Sequence, residues 1–166
     1  DVLAEHVRLR ELVKLPTLDP FTGTGAIPDY LRRLGAERMF TNDIQQLVPL
    51  TYQYDATSRF NWECMGVFDY VVTSPPFELL DLALPLILYH TRKAAFLHVP
   101  GDYLANSKHR LQMITDLTWS VKVIYGLPPV PGRPVRPCVW LCLFQDPVTE
   151  SVLWRGSDGV HPPRDC

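Results

Sequence analysis

Two short segments of this chain combine residue types that can hold a ligand with residue types that can face a reacting amine. The first is Asp19-Pro20-Phe21-Thr22-Gly23-Thr24-Gly25-Ala26. Gly23 and Gly25 let the backbone approach a ligand closely, and the amides opening a following helix can receive a carboxylate. Asp19 is suited to a positively charged group beside it. The second segment is Thr73-Ser74-Pro75-Pro76-Phe77. An exocyclic amino group on a nucleobase is a poor nucleophile, because its lone pair is delocalised into the ring. The Ser74 hydroxyl and the Pro75 carbonyl can accept its hydrogens and favour a pyramidal nitrogen. Pro75 and Pro76 leave the loop little residual freedom, and Phe77 offers a ring on which a base can stack. Either segment alone is an ordinary turn. Their order and spacing give them weight.

Two further acids fall at predicted strand ends. Asp43 lies 18 residues after Gly25 and is placed to accept hydrogens from both hydroxyls of a ribose. Asp55 can accept a hydrogen bond from the amino group of adenine, with Ile44 packing on the ring. The competing readings are plain ones: Asn-Asp is a common turn former, and Asp55 fits a surface turn equally well.

The elements that must position these residues are legible in outline. Residues 1–14 interleave apolar and charged side chains at helical spacing and predict an amphipathic cover helix. Residues 15–18 predict a strand leading into the glycine turn, and residues 27–34 a helix closed by Gly35, with Pro28 tolerable in its first turn. A second strand is expected over 38–41, a short helix over 45–50 disturbed by Pro49, and a third strand over 51–54. The apolar run 68–73 predicts a buried parallel strand that Ser-Pro-Pro terminates. Helices over 79–90 and 106–117 and strands over 94–99, 120–125 and 138–145 complete the pattern. This predicts a doubly wound, mostly parallel seven-stranded α/β sheet with helices on both faces and an antiparallel last strand. Residues 1–146 are expected to form one domain, and residues 147–166, rich in Gly, Pro, Asp and Arg, an extended tail.

Composition narrows the function classes. At 166 residues and 46% hydrophobic content, the chain has the size of one compact domain with a real core. A formal net charge of −2 argues against a surface that attracts nucleic acid everywhere. Lys108, His109, Arg110, Arg133 and Arg136 can form a local basic rim, or simply a solvated helix face and loop. The run 128–137 resembles a proline-rich peptide ligand, although its place between two strands favours a connection. Cys64, Cys138, Cys142 and Cys166 lack the pairing of a zinc site, so no metal is expected; they read as reduced, three in or near the core and Cys166 on the tail. No stretch reaches membrane-span length and the first residues are charged throughout, so the reading is a soluble, intracellular chain, in cytoplasm or nucleus, that can be a piece of a longer protein.

With these residues in place, the chain resembles the S-adenosylmethionine-dependent amino-methyltransferases of class I fold that modify adenine N6 or cytosine N4 in DNA, with relatives acting on RNA. The resemblance covers roughly residues 15–145. It implies S-adenosylmethionine as cofactor, held by Asp19, Pro20, Phe21, Thr22, Gly23, Gly25, Asp43, Ile44 and Asp55. It also implies that Ser74, Pro75, Pro76 and Phe77 serve the target amino group of a nucleic acid, DNA ahead of RNA. The leading Ser leans toward cytosine N4. No segment has the size of a target-recognition domain, so specificity would come from short loops, another domain or a partner subunit. The reaction does not demand a general base, and His98 is therefore read as structural. A second function class is a non-catalytic methyltransferase-like domain that serves binding or assembly.

Overall fold

The central strands carry continuous buried runs, apolar on both faces, which require cover on both, and the helices supply it. The computed structural model describes residues 14–126, 137–145 and 153–155. The predicted helix over 1–14 (all but its last residue), Arg133, Arg136, nearly all of the proline-rich run and Cys166 lie outside them.

Strand β1 (Thr17–Asp19) leads through the glycine turn into α1 (Ala26–Arg33), followed by β2 (Met39–Thr41). Helix α2 (Arg59–Met65) precedes β3 (Phe68–Thr73), and a 3-10 turn (Phe77–Leu79) runs into α3 (Leu80–Tyr89). Then come β4 (Thr91–Pro100), α4 (Lys108–Asp116), β5 (Ser120–Gly126), β6 (Cys138–Phe144) and β7 (Leu153–Arg155). The strand order is β2-β1-β3-β4-β6-β5-β7. Pairing is parallel from β2 through β4, and β6 is antiparallel to both β4 and β5.

Successive residues of one strand feed opposite cores, as strand geometry demands. Val71 and Leu97 join Leu18, Trp62, Leu84, Ile87 and Leu141 on one face. Tyr70, Val72 and Phe96 join Leu31 and Cys142 on the other. The chain leaves β1 toward β2, then returns to place β3 on the opposite side of β1. Such a reversal opens a crevice beyond the carboxyl ends of the strands.

Six of the seven expected strands form; the third does not. Over 51–54 there is only an isolated bridge between Asn42 and Tyr52. Side chains take over the pairing there: Asn42 Oδ1 accepts the Tyr54 amide at 2.9 Å, and Asn42 Nδ2 donates to the Tyr54 carbonyl at 3.0 Å. A strand cannot propagate where a side-chain amide occupies the partner's hydrogen-bonding groups. The helix expected over 45–50 is likewise absent and that segment is irregular, consistent with Pro49 lacking an amide donor. In the segment expected to be an extended tail, β7 pairs parallel with β5. The antiparallel strand is therefore β6, which is not the last strand in the chain.

Candidate functional site

The glycine turn is fastened from below. Thr22, buried, donates its hydroxyl to the Asp19 carbonyl at 3.0 Å and accepts the Asn42 amide at 3.2 Å. Its side chain is thus a latch between the first two strand ends. Gly23 has φ +52° and Gly25 φ +86°, a region favouring glycine. A Cβ placed on Gly23 would meet nothing within 4 Å, so the space in front of this turn is open.

Asp19 lies wholly beneath that turn. Its Oδ1 accepts the Phe21 amide at 3.2 Å, while its buried Oδ2 has no hydrogen-bond partner. Burial pushes the carboxyl up from 3.8 to about 7; the nearby Thr73 hydroxyl and Phe21 amide oppose the shift, and the Asp43 charge adds to it. Neither Asp19 Oδ2 nor Thr73 Oγ1 closes a bond in this arrangement.

Asp43 reaches back across the crevice. Its Oδ2 accepts the Gly23 amide at 2.8 Å and its Oδ1 the Gln45 amide at 3.0 Å. A carboxylate offers about four acceptor positions, so each oxygen retains capacity for one further hydrogen. Asp55 is exposed and bound to its own turn, Oδ1 accepting both the amide and the hydroxyl of Thr57 at 2.8 and 2.7 Å. These bonds hold its carboxyl below the usual carboxylate range.

A cleft of about 340 Å³ brings most of these groups together. Pro20, Phe21 and Gly23 line one side, Asp43 and Ile44 a second, Tyr54 and Asp55 a third, and Ser74 and Pro76 the far wall. Of the expected residues, Asp19, Thr22, Gly25, Pro75 and Phe77 are not in the lining. Pro75 is buried, and Phe77 is half-buried with its ring 6.1 Å from that of His98. Tyr54, Gln45, Ala56 and Leu79 line the cleft without having been singled out by motif. For Tyr54 the available signal was its place next to Asp55.

Ser74 is exposed and its Oγ lies 2.9 Å from Nδ1 of His98. Parallel pairing of Thr73 with Leu97 sets the two side by side on neighbouring strands. Burial lowers the His98 pKa, which favours the neutral ring. The proposed basic rim is altered. Arg110 is committed to Asp81 through two hydrogen bonds of 2.7 and 2.8 Å, and its guanidinium lies 4.2 Å from the centroid of the Tyr103 ring. Lys108 and His109 remain exposed. Cys64 is exposed rather than near the core, whereas Cys142 is buried and its thiol is pushed up to about 12. Among the described residues no group of His, Cys, Asp or Glu could hold a metal ion, and no helix is long and apolar enough to cross a membrane.

No protein-family model matches the sequence, and no curated protein matches it significantly. Solved structures do. A ribosomal protein L11 methylase from Lactobacillus delbrueckii subsp. bulgaricus superposes with a TM-score of 0.61 at 15% identity, over 83% of this chain and 74% of that one. Magnesium protoporphyrin IX methyltransferase from Synechocystis PCC 6803, with bound S-adenosylmethionine, gives 0.65 at 15% identity, over 87% and 76%. The methyltransferase subunit of a type I restriction-modification system from Streptococcus thermophilus gives 0.68 at 12% identity, over 93% of this chain but only 44% of that subunit. These proteins differ in what their names say they act on, and the likeness extends to the fold. The chain is a mixed α/β sheet with flanking helices, similar to the fold of class I methyltransferases.

Proposed function

We propose that the cleft binds S-adenosylmethionine and that the protein methylates an exocyclic amino nitrogen of a nucleobase in a nucleic acid, DNA ahead of RNA. The observation that carries this reading is the convergence of the glycine turn, Asp43 and Ser74 on one cleft at the point where strand order reverses. The residues present fit the cofactor. The open space before Gly23 admits a ligand against the backbone, and Asp19, buried beneath the turn and outside the lining, would support that ligand by holding the Phe21 amide and so the turn itself. Asp43 would take the ribose hydroxyls on its remaining lone pairs, and Ile44 and Tyr54 would flank the adenine, with Asp55 at its edge. When bound, S-adenosylmethionine supplies a methyl group on a sulfonium.

The chain's own residues do the rest. Ser74 Oγ and the Pro75 carbonyl accept the hydrogens of the target amine, concentrating its lone pair on nitrogen. Pro75 and Pro76 keep that acceptor pair in place, so that much of the acceleration is orientation. Phe77, held against His98, would support the base from outside the cofactor cleft. An amine that carries two hydrogens would match such an acceptor pair better than a carboxylate or hydroxyl would. Among the described residues Arg110 is paired with Asp81 while Lys108 stays exposed, and a net charge of −2 supplies no general attraction for a duplex. Target selection would therefore draw on another domain or subunit. Incorporation of labelled methyl into matched single-stranded and duplex DNA and RNA tests the reading, the product base being identified after digestion. Transfer to adenine or cytosine amino groups is expected, single strands being preferred because a flipped base costs a few kcal/mol in a duplex. Transfer only to a protein or a small molecule would overturn it.

A further inference from the structure

We infer that His98 is a positioning residue for Ser74: by accepting the Ser74 hydroxyl proton at Nδ1 it fixes Ser74 as a hydrogen-bond acceptor toward the cleft. The site then selects an amino group over a carbonyl. This deepens the proposed function and rests on it for the identity of the substrate, but the hydrogen-bond polarity itself is a property of the protein alone.

The geometry is specific. Ser74 faces the cleft, whereas His98 is not in its lining, so His98 acts through Ser74. The contact of 2.9 Å joins β4 to the residue that follows β3. Rings on both sides constrain the imidazole: Phe77 at 6.1 Å with a tilt of 51°, and Trp140 at 5.7 Å with a tilt of 49°. Trp140 is the partner of His98 across the β4–β6 pairing, so this clamp belongs to the sheet rather than to a loop. Among the described residues no ion pair involves His98, and the only influence shifting its pKa is burial. A neutral imidazole has one bare nitrogen and one protonated nitrogen.

A serine hydroxyl has one hydrogen. Given to Nδ1, it leaves the oxygen lone pairs for a donor in the cleft. The opposite tautomer, with Nδ1–H donating to Ser74, would turn the serine hydrogen toward the substrate, where it would oppose an amino group and welcome a carbonyl. The polarity of one hydrogen bond thus distinguishes adenine or cytosine from hypoxanthine or uracil, which carry oxygen at the corresponding position.

Long-range nitrogen–proton correlation spectra of the 15N-labelled protein without substrate read this directly, the His98 signals being assigned by their loss in His98→Asn. An unprotonated Nδ1 and a protonated Nε2 are expected; a protonated Nδ1 overturns the inference. Kinetics supply the second arm. His98→Ala should lower kcat about threefold, no more than the loss of the Ser74 hydroxyl itself, with the KM for S-adenosylmethionine unchanged. His98→Asn places an amide oxygen near the position of Nδ1 and should restore most of the rate. If His98→Asn is folded and as slow as His98→Ala, or if His98→Ala matches wild type, the positioning role is wrong. If the wild-type protein methylates no amine, the methyltransferase reading fails while the spectra still decide the polarity.

Discussion

Replacing Asp19 by Asn isolates the cost of a carboxylate buried beneath the glycine turn. In the folded chain burial holds this carboxyl at about 7 against an ordinary 3.8. Between those values the folded protein keeps a proton that the unfolded chain has already released. Wild-type stability therefore falls as pH rises from about 4 to about 7 and changes no further from this source above that. At 1.36 kcal/mol per tenfold change in affinity for the proton, the full loss is about 4 kcal/mol. Asp19→Asn keeps an oxygen for the Phe21 amide and gains an NH2 that can donate to Thr73 Oγ1, which has no partner in wild type. The variant lacks the pH-dependent loss. Calorimetric melting of both proteins without cofactor, from pH 4 to pH 8.5, should show the variant gaining on wild type by roughly 10 °C in Tm across the range. A Tm difference independent of pH would refute the reasoning.

Three further substitutions separate the parts of the site. Asp43→Ala removes the proposed ribose acceptor and frees the Gly23 amide, and should weaken S-adenosylmethionine binding about ten- to a hundredfold by equilibrium titration. Ser74→Ala should lower kcat about three- to tenfold while cofactor affinity stays near wild type, since its interaction is with the acceptor amine; lost cofactor affinity at unchanged turnover would exchange the roles. Asn42→Ala strips hydrogen bonds from Pro20 and from both backbone groups of Tyr54. It should cost about 2–4 kcal/mol in urea unfolding and also loosen the cleft, because Pro20 and Tyr54 both line it.

The elements legible in the sequence are those whose signal is local. Strand β3 reads as a buried strand because Tyr70, Val71 and Val72 are apolar on both faces, and Ser74-Pro75-Pro76 cannot continue a ladder. Helix α1 reads from its glycine boundaries, with Gly25 and Gly35 both at positive φ. The expected third strand fails because its alternation, Thr51 to Tyr54, says nothing of the Asn42 amide that occupies its partner groups. Strand β7 has three residues within a polar, proline-rich stretch, too few for a period to emerge. The convergence of Asp43 and Gly23 follows from the strand-end motifs, but the contact between Ser74 and His98 depends on the register of β3 with β4, across 24 residues. No spacing rule carries that register. Likewise Arg110 reads as a free cation until α4 is seen against Asp81 of α3.

Equilibrium dialysis against labelled S-adenosylmethionine tests the central claim most directly, because every assigned role depends on that ligand entering the cleft. The account predicts saturable binding of one molecule per chain, competed by S-adenosylhomocysteine and weakened at least tenfold in Asp43→Ala. Absence of binding up to about 1 mM, or binding that Asp43→Ala leaves unchanged, would contradict it.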